Sequence, residues 1–500
     1  MGIVIRQSFK GTIISYVGAF LGFLTTFFVA TKFLKPEILG LTQALVGAAS
    51  LICSFSLLGI ATSAPKFFPY FRNIEKKHNG FFFYLVSFAF FGLVLSFTFM
   101  LLFKEPIKAY FSKESPLFVE YFPLIFPFVF FMVYQMVFET YSTVLMRIVV
   151  PRFVREVLIR LMTVTVFLLY AFDFITLDLM IYLYVAEYGI ASLINLLYVS
   201  RIGPVSLSHN VNYVRKPLKR YIFRFTGYMT VTALGTEIIN RIGMLMIASS
   251  EGLGSAGIYS IAFFMAAIVE IPSRSLQGIS LPLISTHIKE KNHKEAEKLL
   301  QKVSLNQFLI GALIFTLLWI NIDNVFAIIP KGEFYSQGKM VVFFLGLTRL
   351  CDLIGLISIS TLNISKYYYY LFIVLLISVI TIAGNYLLIP IFGITGSSIS
   401  SLISYSIYYI IVIVIINVKL KYNPLSRGIL KVLALMGLVF LLNYFFFTFD
   451  NPIVDAVVRT TLFGGMFIFL MYFWKISLDM NNLVKEIFHK LQSALNRKDN

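Results

Sequence analysis

Long apolar runs alternate with short polar stretches along the whole chain. A helix needs about 20 apolar residues to cross hydrocarbon about 30 Å thick. Fourteen runs meet or approach that requirement: 11–31, 39–62, 81–103, 119–146, 156–172, 178–200, 222–248, 255–281, 303–322, 338–361, 367–388, 393–417, 429–449 and 457–474. The pattern predicts an all-α polytopic membrane protein with about 14 transmembrane helices. The fifth run is short for a span and the fourth is long.

The polar stretches between the runs are basic on alternate sides. With the N-terminus inside, and with Arg224, Lys339 and Lys431 at run ends counted with the adjoining loops, 30 of the 42 Lys and Arg fall on the cytoplasmic side, 7 on the opposite side and 5 within spans. Short loops rich in Lys and Arg stay in the cytoplasm, so both termini are expected there. Arg6 and Lys10 ahead of an apolar run resemble a signal peptide, but the run is too long and no small-residue cleavage pattern ends it. A retained first helix is expected. The longest opposite-side stretches, 104–118 and 323–337, are about 15 residues, too little surface for an enzyme acting on a large polymer outside the membrane.

The basic stretch 201–221, with Arg215, Lys216, Lys219 and Arg220, divides the spans into six and eight. The expected organisation is an N-terminal lobe over 1–200, a linker over 201–221, a C-terminal lobe over 222–417, an appended helix pair within 418–474 and a tail over 475–500. Weak internal repetition supports two lobes. An offset of 217 carries Gly40, in the turn Pro36–Gly40, onto Gly257, in the turn Gly252–Gly257, and carries Asp178 onto Thr395. Internal repeats are a common basis of secondary transporters.

In the tail, Leu483, Val484, Ile487, Phe488, Leu491 and Leu495 recur at helical spacing. Two readings stay open: an amphipathic helix on the inner leaflet, or a helix packed on neighbouring loops. The segment 287–302 reads as a polar cytoplasmic helix without assigned chemistry.

Composition narrows the class. The 500 residues are 58% hydrophobic and 13% charged, against about 25% charged in soluble domains. No soluble globule of this size hides so much apolar surface, so a soluble enzyme is excluded. The 53 Phe and the lack of polar low-complexity tracts exclude a disordered chain. The net charge of +18 is scattered between apolar runs. That distribution suits an anionic leaflet rather than nucleic acid, which needs a basic face on a soluble domain. Cys53 and Cys351 both lie in apolar runs and read as small core residues.

Ionisable residues within spans are costly and face a cavity or a partner. Three pairs stand at helical spacing: Glu237 with Arg241, Glu270 with Arg274, and Arg349 with Asp352. Such spacings put opposite charges on one helix face. The pairs serve either as helix glue or as the lining of one wet chamber. In the chamber reading, an anionic headgroup competes with the carboxylates for guanidinium groups, whose planar fork suits phosphate. In the first lobe, Glu139, Arg160 and Glu187 lie within spans. Glu187 is mid-span and reads as a proton or sodium site, or as the partner of Arg160. Arg160 and Arg459 lie near span ends and are expected to snorkel. Lys66, after Pro65, reads as a headgroup contact at the cytoplasmic mouth or as a positive-inside anchor.

No catalytic constellation occurs. The five His fall in loops or the tail, and no HExxH, P-loop or GxSxG is present. A non-enzyme without cofactor or metal is expected, energised by an ion gradient, membrane potential or substrate gradient.

Three stretches carry a family resemblance. The first is Phe33-Leu34-Lys35-Pro36-Glu37-Ile38-Leu39-Gly40. The second runs from Asn240-Arg241 through Gly254-Ser255-Ala256-Gly257-Ile258-Tyr259 to Pro272 and Pro282-Leu283-Ile284-Ser285. The third is Gly384-Asn385-Tyr386-Leu387-Leu388-Ile389-Pro390 with Gly393 to Ser398. In these, and in span count and loop lengths, the chain resembles the multidrug/oligosaccharidyl-lipid/polysaccharide (MOP) exporter superfamily, and within it the bacterial polysaccharide flippases. The resemblance implies two six-helix lobes in a V with two appended helices. It implies transport of a lipid-diphosphate-linked oligosaccharide across the bacterial inner membrane by alternating access, for surface polysaccharide biosynthesis. The family's cationic cavity then maps onto Arg241, Arg274 and Arg349, with Lys66 at the mouth. Glu187, Glu237, Glu270, Asp352, Arg160 and Glu139 are the residues for ion coupling or charge pairing, with H+ or Na+ as the ion. Membrane lipids are the surroundings. A monomer is expected, in the company of polysaccharide assembly proteins. The alternative is an ion-coupled multidrug or cation antiporter of the same superfamily. Such exporters want carboxylates in the cavity, often in the first span, and spans one and two here contain no Asp or Glu.

Overall fold

The computed structural model describes residues 2–205 and 216–486, with the side chains of a few, Arg274 among them, outside that description. Helices fill nearly all of it, and no strand occurs among the described residues. In order they are α1 (Gly2–Leu24), α2 (Pro36–Ser56), α3 (Ile60–Phe71), α4 (Phe81–Leu102), α5 (Ile125–Val144), α6 (Ile159–Ala171), α7 (Leu177–Ile202) and α8 (Lys216–Ser250). Then come α9 (Gly252–Ala267), α10 (Ser273–Lys289), α11 (His293–Ile320), α12 (Lys339–Ile364), α13 (Val374–Phe392), α14 (Ile394–Leu420), α15 (Arg427–Tyr444) and α16 (Pro452–Phe473). Short helical turns join several of them.

Among the described residues, thirteen helices are long and apolar enough to cross a membrane, one fewer than the fourteen runs. The run 156–172 accounts for the difference. It is helical, as α6 continued upstream through a π turn at Val154–Leu158 and a short helix at Val149–Phe153. Arg155, Glu156 and Arg160 make it too charged to rank with the other spans. Those charges are met inside the protein, as described below. The chain is a membrane protein: thirteen such helices have no other medium in which to hide.

The elements begin and end where local chemistry directs. Pro36 and Pro452 stand in first turns, where a missing N–H costs nothing. Thr176 caps α7 and Asn451 caps α16. The run predicted as 255–281 is not one helix. It passes from α9 through a 3-10 turn at Ile268–Glu270 and restarts after Pro272 as α10, where the Ser273 hydroxyl donates to the Glu270 carbonyl at 2.7 Å. The polar segment 287–302 also straddles a break: α10 stops at Lys289, and Asn292 caps α11.

Packing groups the chain into two compact units. One comprises Met1–Ile261 with Phe372–Ser400; the other comprises Ala262–Leu371 with Ser401–Asn500. In the first unit, Gly40 and Gly257 face one another. A Cβ on Gly40 would strike the Leu253 carbonyl, and one on Gly257 the Pro36 carbonyl. Small residues let helix backbones approach closely in membranes, so the two turn motifs matched by the 217-residue offset form a single crossing.

The second unit is built around Phe308, Phe315, Leu353, Val432 and Phe467, from α11, α12, α15 and α16. A polar lock fixes the α15–α16 hairpin. Arg459 donates to Asp455 at 2.6 Å, to Asn443 at 2.5 Å and to the Phe447 carbonyl at 3.1 Å. Asp455 also accepts from Asn324 and from the Phe449 amide. Arg459 is only 5% exposed, so it does not snorkel as expected; buried acceptors from several elements hold it instead.

The start of the tail is docked. Asp479 pairs with Lys302 at 2.7 Å and accepts from Asn306 at 3.1 Å; the Ser477 hydroxyl donates to Asn306. Met480 and Val484 pack on the second unit's core. These turns follow the packed-helix reading; Ile487, Phe488, Leu491 and Leu495 lie outside the described residues. The N-terminal half of α11 also clamps the 421–426 loop: His293 bonds the Tyr422 hydroxyl at 2.8 Å, and Glu297 accepts from the Asn423 amide. Burial, then the Glu297 carboxylate, pushes the Tyr422 phenol above its ordinary range.

Candidate functional site

Among the described residues, one nearly buried cluster of charge lies in the second unit, on α12 and the kink before α10. Arg349 is nearly buried. One of its nitrogens lies 3.3 Å from Glu270 and 3.5 Å from Asp352, and its guanidinium stands 5.1 Å from the centre of the Phe263 ring. Tyr409, on α14, donates its hydroxyl to Asp352. Gly355, one turn beyond Asp352, makes room for the Tyr409 ring, which a Cβ there would strike. Cys351 meets Ser406 beside this group.

The sequence spacing predicted Glu270 with Arg274. The structure places Glu270 beside Arg349, and residues 270 and 274 fall on either side of the step from the 3-10 turn to α10. Arg274's side chain is outside the description. The expected Arg349–Asp352 pair is present. The result is two carboxylates around one guanidinium, with a phenol on the second acid.

In the first unit, Glu237 and Arg241 pair as predicted, at 3.1 Å on α8, both partly exposed. Arg241 and Arg349 therefore belong to different units. Lys66 sits 3.7 Å from the centre of the Phe225 ring and 5.5 Å from that of Tyr221. A cation over ring faces is attracted by their quadrupole, so Lys66, midway along α3, is held by aromatic residues of α8.

Glu139, Arg155, Glu156 and Arg160 form a chain of charges. Arg155 reaches Glu139 at 2.6 Å and Glu156 at 3.3 Å; Arg160 reaches Glu156 at 3.6 Å and donates to the Gly18 carbonyl at 2.6 Å. Helix α1 makes this possible. A Cβ on Gly18 would strike the Glu156 backbone, and one on Gly22 the Arg160 guanidinium. Arg160 does not meet Glu187, which was one of its expected partners. Glu187 is 2% exposed and accepts from Thr163 at 2.7 Å, while its other oxygen has no hydrogen-bond partner.

One polar cluster escaped sequence reasoning because none of its members is charged. Asn385 on α13 and Ser397 on α14 border Gly243 of α8, with the Tyr259 hydroxyl beside them. Asn385 and Ser400 both donate to the Thr381 carbonyl, at 2.8 and 3.1 Å. The signal available was the motif Gly384-Asn385, which read only as a turn. Among the described residues, no group of three His, Cys, Asp or Glu is placed to hold a metal.

No protein-family model matches the chain, and no curated protein sequence does. Solved structures do match. The chain is similar to the lipid II flippase MurJ in an inward closed conformation, with a TM-score of 0.70 at 12% identity, covering 93% of this chain and 99% of that one. It is also similar to an inward-facing multidrug resistance MATE family transporter of the MOP superfamily, with a TM-score of 0.61 at 14% identity, covering 82% and 98%. An outward-facing MATE family transporter gives 0.56 at 15% identity, covering 84% and 95%. These likenesses show the fold: this chain folds as those members of the MOP superfamily do.

Proposed function

We propose that this protein is a flippase carrying a lipid-diphosphate-linked oligosaccharide across the bacterial inner membrane by alternating access, with both termini in the cytoplasm. The observation that carries the reading is the nearly buried guanidinium of Arg349, held by two carboxylates that an anionic headgroup can replace. A diphosphate does not cross hydrocarbon unaided; fixed guanidinium groups offset its charge with paired hydrogen bonds. In this reading Arg241, Arg274 and Arg349 meet the headgroup and Lys66 receives it at the mouth. The likeness to a lipid II flippase over nearly the whole chain supports such a cargo.

Glu270 and Asp352 supply the coupling. While both carboxylates are ionised they hold Arg349. A proton or sodium ion on them releases the guanidinium to the headgroup. Ion and cargo are thereby linked through one guanidinium, each altering the affinity for the other. Glu187 is a second coupling acid, in the first unit.

One observation favours the alternative, an ion-coupled cation antiporter. Among the described residues, two carboxylates stand around the one guanidinium of Arg349, which suits a cationic cargo. Purified protein in liposomes separates the two readings. A fluorescent short-chain polyprenyl-diphosphate sugar reports flipping, and ethidium reports cation export. Arg349→Gln is expected to slow flipping by about tenfold or more, and collapse of the proton or sodium gradient to slow the wild type. Unchanged flipping in Arg241→Gln, Arg274→Gln and Arg349→Gln would overturn the flippase reading. Ethidium export that is lost in Asp352→Asn would install the antiporter.

A further inference from the structure

Helices α5 and α7 run side by side in the same direction. Tyr121, ahead of α5, donates to Asp178 at the start of α7; Phe128 meets Tyr184 and Tyr188 at 6.2 and 4.8 Å; Tyr141 donates to the Pro204 carbonyl just past α7. These contacts fix the register along the full length. They also show that the pair changes character halfway. The first half is aromatic. The second half, toward the basic loops, carries buried polar residues on the facing stripes: Gln135 and Ser142 on α5, Ser192 and Asn195 on α7.

Several of these groups have nothing to bond. Asn195 is fully buried, yet neither its amide nitrogen nor its oxygen has a partner. Ser142 is fully buried and its hydroxyl is likewise unpartnered. Beside Ser142, Glu139 bonds Arg155 through one oxygen while the other has no partner. Two turns before Asn195 on the same helix face stands Glu187, with its own unpartnered oxygen. An unmet amide in hydrocarbon costs several kcal/mol. Buried polar groups left unpaired by protein are met by ordered water, which wants two to four polar partners.

We infer that the basic-loop half of the α5–α7 interface holds a file of ordered water joining the Glu139–Arg155 pair to Glu187. Eight residues of helix separate Glu187 from Asn195, about 12 Å, and Ser192 and Gln135 lie at intermediate positions. Such a file hands protons along without moving either helix. It makes the Glu187 carboxyl reachable from the side we read as cytoplasmic. Around Glu187 stand Thr163, which donates to it, and Tyr184 and Tyr188 of its own helix; the cations acting on those phenols are Arg241 of α8 and, for Tyr188, Arg160. The access role rests on the reading of Glu187 as a coupling acid; the water itself does not.

Two measurements on full-length protein in lipid nanodiscs test this. Radiolytic footprinting in 18O-labelled water oxidises buried rings only where ordered water touches them. Phe138 and Tyr141 should be labelled in the wild type, while the buried Phe122, ahead of α5 and beyond the end of the file, stays unlabelled. No label on Phe138 and Tyr141 overturns the file, and this arm needs no variant. In infrared spectra at acidic pH, the carboxyl band lost in Glu187→Gln reports Glu187. Its deuterium exchange should slow by about tenfold or more in Asn195→Leu; an unchanged rate overturns proton access. Retained gradient-driven flipping in Glu187→Gln would remove the coupling role of Glu187 and leave the labelled file standing.

Discussion

Arg459 and Arg349 are both buried arginines with carboxylates, and they differ in what surrounds them. Arg459 has a carboxylate, an amide and a backbone carbonyl as acceptors, and Asp455 is met by an amide and a backbone N–H besides. Nothing in that set is left for a ligand, so it is structural. Asp455→Ala should strand the guanidinium and cost about 3–5 kcal/mol, whereas replacing both partners by Met and Leu should cost much less. Thermal unfolding in detergent checks this; equal losses for the single and double variants would contradict it. Arg349 is shared by two acids at longer range. That looser arrangement is why it, rather than Arg459, is assigned to the cargo.

At the level of elements, the tail shows how burial ranks two polar contacts. Lys302–Asp479 is half-exposed, and exposed ion pairs contribute about 0–1 kcal/mol. Asn306 is buried and satisfied from both sides, by Ser477 and by Asp479. Removing it leaves the buried Ser477 hydroxyl without its acceptor. Asn306→Ala should therefore release residues 475–486 to limited proteolysis at Lys485 far more readily than Lys302→Ala. Equal cleavage would mean that Met480 and Val484 hold the tail through their apolar contacts alone. Element breaks mattered as much as elements. Pro272 separates the 3-10 turn at Ile268–Glu270 from α10, so residues 270 and 274 do not share one regular α-helix. A helical-face argument holds only while the helix does. The fifth run shows the reverse case: its charges weakened it as an isolated span, yet glycines on α1 and acids on neighbouring turns accommodate them.

For the molecule as a whole, orientation is the most direct prediction. The Lys and Arg bias places the 421–426 loop inside and Lys331 outside. In a cysteine-free background, a cysteine at position 331 should react with a membrane-impermeant maleimide on intact cells, and one at 423 only after lysis. The opposite pattern would invert the topology and, with it, the direction of the proposed water access. The sequence by itself determined that this is a helical membrane protein, roughly how many spans it has, and which residues carry charge within them. Those properties depend on length, hydropathy and composition, each readable one segment at a time. The partners of those charges came only from tertiary structure. Glu270 with Arg349, Thr163 with Glu187, Arg160 with the Gly18 carbonyl and Tyr409 with Asp352 all join different elements. Local spacing describes one helix surface. Which surface faces which neighbour, and which buried oxygen is left without a donor, is settled when all the helices pack together.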